Sequence, residues 1–278
     1  MTPREQILTA VLNCRRDELG RRSARLSVDQ QRLYDRLLAR YESGEPLQYV
    51  IGFTDFCNSR VFVNPRVLIP RPETEILVEH LAKRINSGGA RGGSRVLDLG
   101  TGSGNIAIAL AMACPRAQVT AVDVSPPALE LARHNAVENG VSGQIRFVCE
   151  DMAVFCKTLG GLYGPYDVIV SNPPYVPTPR LGELPADVRR EPRLALDGGP
   201  DGLRFYRYLL EFAPPCLAPG GFMAFEIGDG MLGPFEALLG GPAAGSWSLR
   251  TIADYTGTAR HIILEPCLKT RNPLEING

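Results

Sequence analysis

From residue 94 onward the chain alternates short apolar runs with segments of helical spacing, and this alternation limits the fold more than any other feature. Residues 95–99, 118–122, 145–149, 166–170, 222–227, 247–252 and 260–264 read as strands; 106–113, 126–139, 203–217 and 235–239 read as helices. On the helix over 126–139, Leu129, Ala132 and Ala136 share the inward face. Repeated strand–helix–strand units place successive strands parallel in one sheet with helices on both faces. The last two strands leave no room for a helix between them, so they form an antiparallel element at one edge. The expected domain is therefore α/β, with a mostly parallel sheet of seven strands.

The first 93 residues follow another pattern. Thr2-Pro3-Arg4-Glu5 and Ser27-Val28-Asp29-Gln30 are capping boxes, and helix-spaced apolar residues follow each: Ile7, Leu8, Val11 and Leu12, then Leu33, Leu37 and Leu38. Gly44 and Pro46 stop the second helix. Residues 1–45 thus form a small helical bundle with too little core to stand alone. Within 46–72, Val61-Phe62-Val63 and Val67-Leu68-Ile69 flank Asn64-Pro65-Arg66 and predict a β-hairpin linker. Pro70-Arg71-Pro72 opens a helix carrying Ile76, Leu77, Leu81 and Ile85, and residues 88–93 are a glycine-rich break before the domain of 73–278 gathers its sheet.

Charge and cysteine content exclude several classes. Thirty Lys and Arg balance thirty Asp and Glu, so the basic bias of a phosphate-binding protein is missing and no direct nucleic-acid binding is expected. A local basic run, Arg15, Arg16, Arg21, Arg22 and Arg25, reads as a solvated helix face. The seven cysteines include no Cys-x-x-Cys pair; several, such as Cys114 and Cys149, sit in apolar runs and read as buried reduced thiols. His80, His134 and His261 are too far apart in sequence for a zinc motif, so no metal is expected. No run approaches the length of a membrane span and the N-terminus lacks an apolar signal core, so no membrane partner and a cytoplasmic location are expected.

The chemistry concentrates at the ends of four strands. After the first, Asp98-Leu99-Gly100-Thr101-Gly102-Ser103-Gly104 lets backbone approach a ligand at a helix start. The spacing is Gly-x-Gly-x-Gly, not the Gly-x-Gly-x-x-Gly of dinucleotide binders, and the leading carboxylate suits an ammonium and a sulfonium better than a pyrophosphate. Asp123 ends the second strand, where a carboxylate can accept from two ribose hydroxyls. Asp151 follows the third, where it can accept from an adenine amino group with Met152 against the ring. Together these residues predict S-adenosylmethionine as cofactor.

The fourth strand runs into Ser171-Asn172-Pro173-Pro174-Tyr175. Paired prolines fix the backbone. The Asn172 side chain and the Pro173 carbonyl can accept both hydrogens of a planar NH2 group, and Tyr175 can stack on its plane. An amide nitrogen is a poor nucleophile because its lone pair is delocalised. Acceptors that draw its N–H bonds out of plane localise that pair and aim it at an electrophilic methyl.

These motifs resemble the amino-methyltransferase branch of the Rossmann-like class I methyltransferases. Further segments are similar to the bacterial release factor glutamine methyltransferase family: Glu45-Pro46-Leu47-Gln48-Tyr49-Val50-Ile51-Gly52, Leu68-Ile69-Pro70-Arg71-Pro72-Glu73-Thr74-Glu75, Arg190-Glu191-Pro192-Arg193-Leu194-Ala195-Leu196, Asp197-Gly198-Gly199-Pro200-Asp201-Gly202-Leu203 and Asp254-Tyr255-Thr256-Gly257-Thr258-Ala259-Arg260. The resemblance covers nearly the whole chain. It implies methylation of the side-chain nitrogen (N5) of the glutamine in the Gly-Gly-Gln loop of class I peptide chain release factors. It also implies that Gly100, Thr101, Gly102, Ser103, Gly104, Asp123, Met152 and Asn172 line the cofactor, that Asn172, Pro173, Pro174 and Tyr175 hold the glutamine, and that Arg71 and Glu73 lie near the cleft. Other readings are a ribosomal protein L3 glutamine methyltransferase, a nucleic-acid exocyclic amine methyltransferase, and a cofactor-binding protein without turnover. The linker and the Asp-Gly-Gly segment favour the release-factor reading. The small N-terminal bundle is the expected docking surface.

Overall fold

Thr2 and Ser27 begin the first two long helices as the sequence predicts, in a computed structural model that describes residues 1–14, 16–19, 26–88, 93–240 and 247–267. Thr2 caps α1 (Pro3–Leu12) and Glu5 reaches back to the Thr2 N–H. A short α2 (Arg16–Leu19) follows, and then α3 (Val28–Glu42), where Ser27 and Gln30 repeat the reciprocal pairing. The side chains of the basic run around Arg15 to Arg25, and most of the glycine-rich break at 88–93, lie outside the described residues.

Residues 46–72 depart from expectation. Leu47–Ile51 is a helix, α4, that packs on α1 and α3. The Arg40 guanidinium on α3 donates to the carbonyls of Tyr49 and Val50 and pairs with Glu45. The hairpin lies earlier than predicted: β1 (Phe53–Phe56) pairs antiparallel with β2 (Ser59–Phe62). Its turn is made by Cys57 and Asn58, both at positive φ, the geometry that matches the twist of a two-residue hairpin. Asn64 instead forms a local turn, its side chain accepting from Arg66 N–H. Val67–Ile69 is not a strand, and its backbone groups find other partners: Val67 N donates to Asn64 O in the local turn, Tyr49 Oη donates to Val67 O, and Ile69 N donates to Glu191.

The α/β region follows the predicted order closely. After α5 (Pro72–Ser87) come β3 (Arg95–Leu99), α6 (Asn105–Ala113), β4 (Gln118–Asp123), α7 (Pro126–Glu138) and β5 (Ile145–Cys149). Two short helices that the sequence reading missed, α8 (Met152–Thr158) and α9 (Gly160–Tyr163), precede β6 (Tyr166–Ser171). The side chain of Asp151 accepts from Ala153 and Val154 N–H and so starts α8. Next are α10 (Arg204–Phe212), β7 (Leu217–Glu226), α11 (Leu232–Leu239), β8 (Trp247–Ala253) and β9 (Ala259–Pro266). The helix expected over 203–217 ends at Phe212, because Pro214 and Pro215 impose a tighter turn, and the strand expected from 222 begins at Leu217.

Among the described residues, seven strands form one sheet in the order β5-β4-β3-β6-β7-β9-β8. All neighbouring pairs from β5 to β7 are parallel, and β9 runs antiparallel between β7 and β8. The order reverses at β3, so the C-terminal ends of β3, β4 and β6 flank the crevice where such sheets take ligands. One face of the sheet packs against the α5–α6–α7 side, with Leu77, Leu81, Ile106 and Leu110 buried; the other packs Phe155, Tyr206, Leu209 and Phe235 against Leu97, Ile169 and Phe225. Cys114 is buried as expected, but Cys149 is exposed: it ends the edge strand β5. No helix among the described residues is long and apolar enough to cross a membrane.

Candidate active site

The glycine turn after β3 is drawn toward β4 by backbone bonds, with Gly100 and Thr101 N–H both donating to Val122 O. Gly100, Gly102 and Gly104 all have positive φ, which a side chain would strain. Asp123 fastens the turn: its Oδ2 accepts from Gly102 N at 2.8 Å and its Oδ1 from Ser125 N at 2.9 Å. Across the sheet, Ser171 Oγ donates to Leu99 O at 2.6 Å, holding the end of β6 against the end of β3.

These strand ends enclose a cavity of about 360 Å³, within the range of about 300–1,000 Å³ typical of small-molecule sites. Gly100, Thr101, Gly102, Ser103, Asp123, Asp151, Met152, Asn172 and Pro174 line it, along with Arg71. Five other predicted residues are off its wall. Asp98 is fully buried and reaches the cavity only through Thr101, whose hydroxyl donates to Asp98 Oδ2 at 2.6 Å. Gly104 packs helix on helix: a methyl group in place of its hydrogen would lie only 3.1 Å from both Ala132 and Ile108. Pro173 is buried, and no group among the described residues donates to its carbonyl. Tyr175 is inserted behind the turn, its hydroxyl 3.5 Å from Glu226 Oε1. Glu73 is not on the wall either, whereas Arg71 is, held by Glu191 at 2.5 Å.

Electrostatics match the geometry. Burial pushes the Asp98 carboxyl up to about 7, against the lowering effect of the Thr101 hydroxyl and with a further rise from nearby Asp123. The backbone N–H of Ala107 lowers it further, but Oδ1 has no close hydrogen-bond partner among the described residues, so a cation close by would favour the ionised form. Burial also raises Asp123, opposed by its hydrogen bonds from Ser125 and Gly102. An aliphatic and aromatic rim completes the wall: Leu68, Leu194, Phe205 and Tyr208.

Two sequence stretches match family models: residues 70–180 match one described as methyltransferase small domain, and residues 4–52 match one described as PrmC N-terminal domain. The release factor glutamine methyltransferase of Caulobacter vibrioides is 38% identical over 251 residues, covering 90% of this chain and 82% of that protein. The chain belongs to the release factor glutamine methyltransferase family. The family member from Moorella thermoacetica is 47% identical over 190 residues, an alignment that spans 68% of this chain and 64% of that relative's length. The solved hMettl16 catalytic domain shares the fold, with a TM-score of 0.56 at 15% identity over 73% of this chain and 74% of that one.

Several residues around the site escaped the sequence reading. Arg66, Arg204, Phe205 and Tyr208 line the cavity from segments read only as turn or helix. Thr74, on the cavity wall, and Glu226, off it, are buried beside Asn172, where Thr74 Oγ1 donates to Glu226 Oε2 at 2.5 Å and accepts from Asn172 Nδ2 at 3.3 Å. Glu226 did carry a signal: it is an acid at the end of the apolar run Phe222-Met223-Ala224-Phe225, and such acids are seldom buried without a purpose.

Proposed function

We propose that this chain transfers the methyl group of S-adenosylmethionine to the side-chain amide nitrogen (N5) of the glutamine in the Gly-Gly-Gln motif of class I peptide chain release factors, in the cytoplasm. The observation that carries the reading is Asn172, whose Nδ2 is engaged by Thr74 while no group among the described residues donates to its Oδ1, on the wall of a cavity shared with the glycine turn and Asp123.

The residues fit the cofactor. Its sulfonium supplies an electrophilic methyl and a neutral leaving group. Asp123, held by Gly102 and Ser125, offers its remaining lone pairs to ribose hydroxyls. Asp151 has spent Oδ1 on the start of α8, which leaves Oδ2 for an adenine amino group. The Met152 methyl lies over Gly100, 3.6 Å from where a side chain there would begin, and gives the ring an apolar wall. Asp98 acts through Thr101 and by its charge on the cofactor's ammonium. Asn172 Oδ1 and Pro173 O accept the two amide N–H bonds, and the orientation this imposes is the main catalytic contribution. The proton leaves the nitrogen after the methyl arrives, so no strong base is required. Tyr175 stiffens the turn from behind, and the helical N-terminal region offers a second surface to a protein acceptor.

The test is transfer of labelled methyl from S-adenosylmethionine to purified class I release factor, ribosomal protein L3 and duplex DNA as separate acceptors. Label is expected only in the release factor, and it should vanish when the Gly-Gly-Gln glutamine is replaced by alanine. Label in L3 or DNA, with none in the release factor, would refute the reading.

A further inference from the structure

Asn172 has an amide whose two ends differ in what they can do. Only its oxygen can accept from an acceptor NH2, and a half-turn about its last bond would present N–H to N–H. The structure contains a chain of groups that decides between the two. Glu226 is a carboxylate at the end of β7, buried and able only to accept. Thr74, in the first turn of α5, has one hydroxyl hydrogen, and it lies along the 2.5 Å contact to Glu226 Oε2. The hydroxyl's lone pairs are then all it can offer Asn172, so the group facing it must be Nδ2, at 3.3 Å. The other Glu226 oxygen lies 3.5 Å from Tyr175 Oη, and the Glu226 carbonyl accepts from Tyr206 Oη at 2.7 Å. One carboxylate thus addresses both ends of the Asn-Pro-Pro-Tyr turn.

We propose that Thr74 and Glu226 are positioning residues that fix the direction of the Asn172 amide, and so make its oxygen the group presented to the acceptor. This rests on the proposed role of Asn172 toward the glutamine amide. Thr74 lies on the cavity wall and Glu226 off it, and both act on the acceptor through Asn172. A role limited to joining α5 to β7 would lower stability and leave turnover per folded molecule intact; a directing role lowers turnover.

The full-length enzyme is assayed with S-adenosylmethionine and release factor as Thr74→Val, which keeps the shape and removes the hydroxyl, and as Thr74→Ser, which restores it. Thr74→Val is expected to lower kcat by about 10- to 100-fold, with cofactor Kd and acceptor KM within about threefold, the pattern of a misdirected group. Thr74→Ser should return kcat to within about threefold of the parent. Wild-type kcat in Thr74→Val overturns the proposal. A parent enzyme inactive on release factor would defeat the functional reading instead.

A second measurement needs no acceptor. The side-chain NH2 signal of Asn172, identified in a 15N–1H spectrum by its loss in Asn172→Ala, is expected to shift and to exchange at least about tenfold faster with water in Thr74→Val, because its hydrogen bond is gone. An unchanged signal overturns the proposal whatever the acceptor is. If Thr74→Val does not fold, Glu226→Leu takes its place. It removes the acceptor for the Thr74 hydroxyl, which frees the hydroxyl hydrogen to turn toward Asn172, and the same fall in kcat and the same altered signal are expected. A Glu226→Leu enzyme indistinguishable from the parent in both readouts overturns the proposal.

Discussion

Asn135 on α7 holds Phe62 of the hairpin by both backbone groups: its Oδ1 accepts from Phe62 N at 2.8 Å and its Nδ2 donates to Phe62 O at 3.0 Å. The same Nδ2 donates to Ser103 O at 2.9 Å, in the glycine turn. One turn of helix later, Asn139 repeats the grip on Arg60 N and O. Two amides thus stand in for a neighbouring strand along β2. Asn135→Ala leaves three backbone groups without these partners, so unfolding free energy should fall by about 2–4 kcal/mol in urea titration. Asn139→Ala, at a half-buried site and with the longer 3.3 Å bond from Arg60 N, should cost less. Equal stability of Asn135→Ala and the parent would show that the grip adds nothing.

Asp123→Ala should weaken S-adenosylmethionine binding by about 10- to 100-fold, the loss expected for one or two hydrogen bonds to a charged acceptor. Because Asp123 also holds Gly102, the ribose contact needs separating from the loosened turn. A 2′-deoxy cofactor analogue does this by calorimetry: it should bind the parent more weakly than the natural cofactor, and Asp123→Ala should treat the two alike. Equal discrimination by both proteins would place the ribose elsewhere.

Asp98 has a raised carboxyl, near 7 in the folded protein against 3.8 ordinarily. Between these values the folded state keeps a proton that the unfolded chain has released. The group's contribution to stability is therefore greatest below about pH 4 and is lost as pH rises through about 7. Asp98→Asn stays neutral throughout. In the cofactor-free protein it should raise the melting temperature, by a margin that grows from pH 5 to pH 8 and reaches at least about 4 °C. A difference that is flat with pH would mean that the carboxyl titrates normally.

Asn172→Ala should reduce kcat by at least about a hundredfold while cofactor affinity stays within about tenfold, because orientation of the acceptor is what it removes. Single-turnover methyl transfer and calorimetry read the two effects apart. Turnover retained in this variant would end the acceptor-holding role.

Removing residues 1–52 takes away the helical region together with α4, whose carbonyls Arg40 holds. Cofactor affinity should remain measurable. The kcat/KM for an intact release factor should drop at least about tenfold, with a smaller change for a short Gly-Gly-Gln peptide that has no remote surface to dock. The same loss for both acceptors would argue against docking.

The alternation from residue 94 made the sheet legible, since strands buried on both faces appear as unbroken apolar runs: β3, β4 and β6 begin where expected. The cofactor side was legible for a similar reason, because Asp123 and the glycine turn sit at fixed places in such a sheet. The hairpin was misplaced because Asn64-Pro65 is a stronger turn signal than Cys57-Asn58, and only tertiary bonds from Tyr49 and Glu191 reveal that Val67–Ile69 lacks a strand partner. Thr74 and Glu226 lie 152 residues apart in the chain, a separation that no local pattern spans. Tyr175 looked like a stacking platform from its sequence neighbours; its place beside Glu226 depends on how β7 lies against β6.

The strap of Asp197 to Leu203 lies directly on the backbone of the Asn-Pro-Pro-Tyr turn, bridged through Val176 and Asp197. A methyl group at Gly198 would fall 2.8 Å from the Tyr175 Cα, and one at Gly202 would fall 2.4 Å from the Tyr175 carbonyl oxygen. A saturation scan would therefore record inactive alleles at two positions that meet no reactant, and their suppressors should be sought in the turn they press upon.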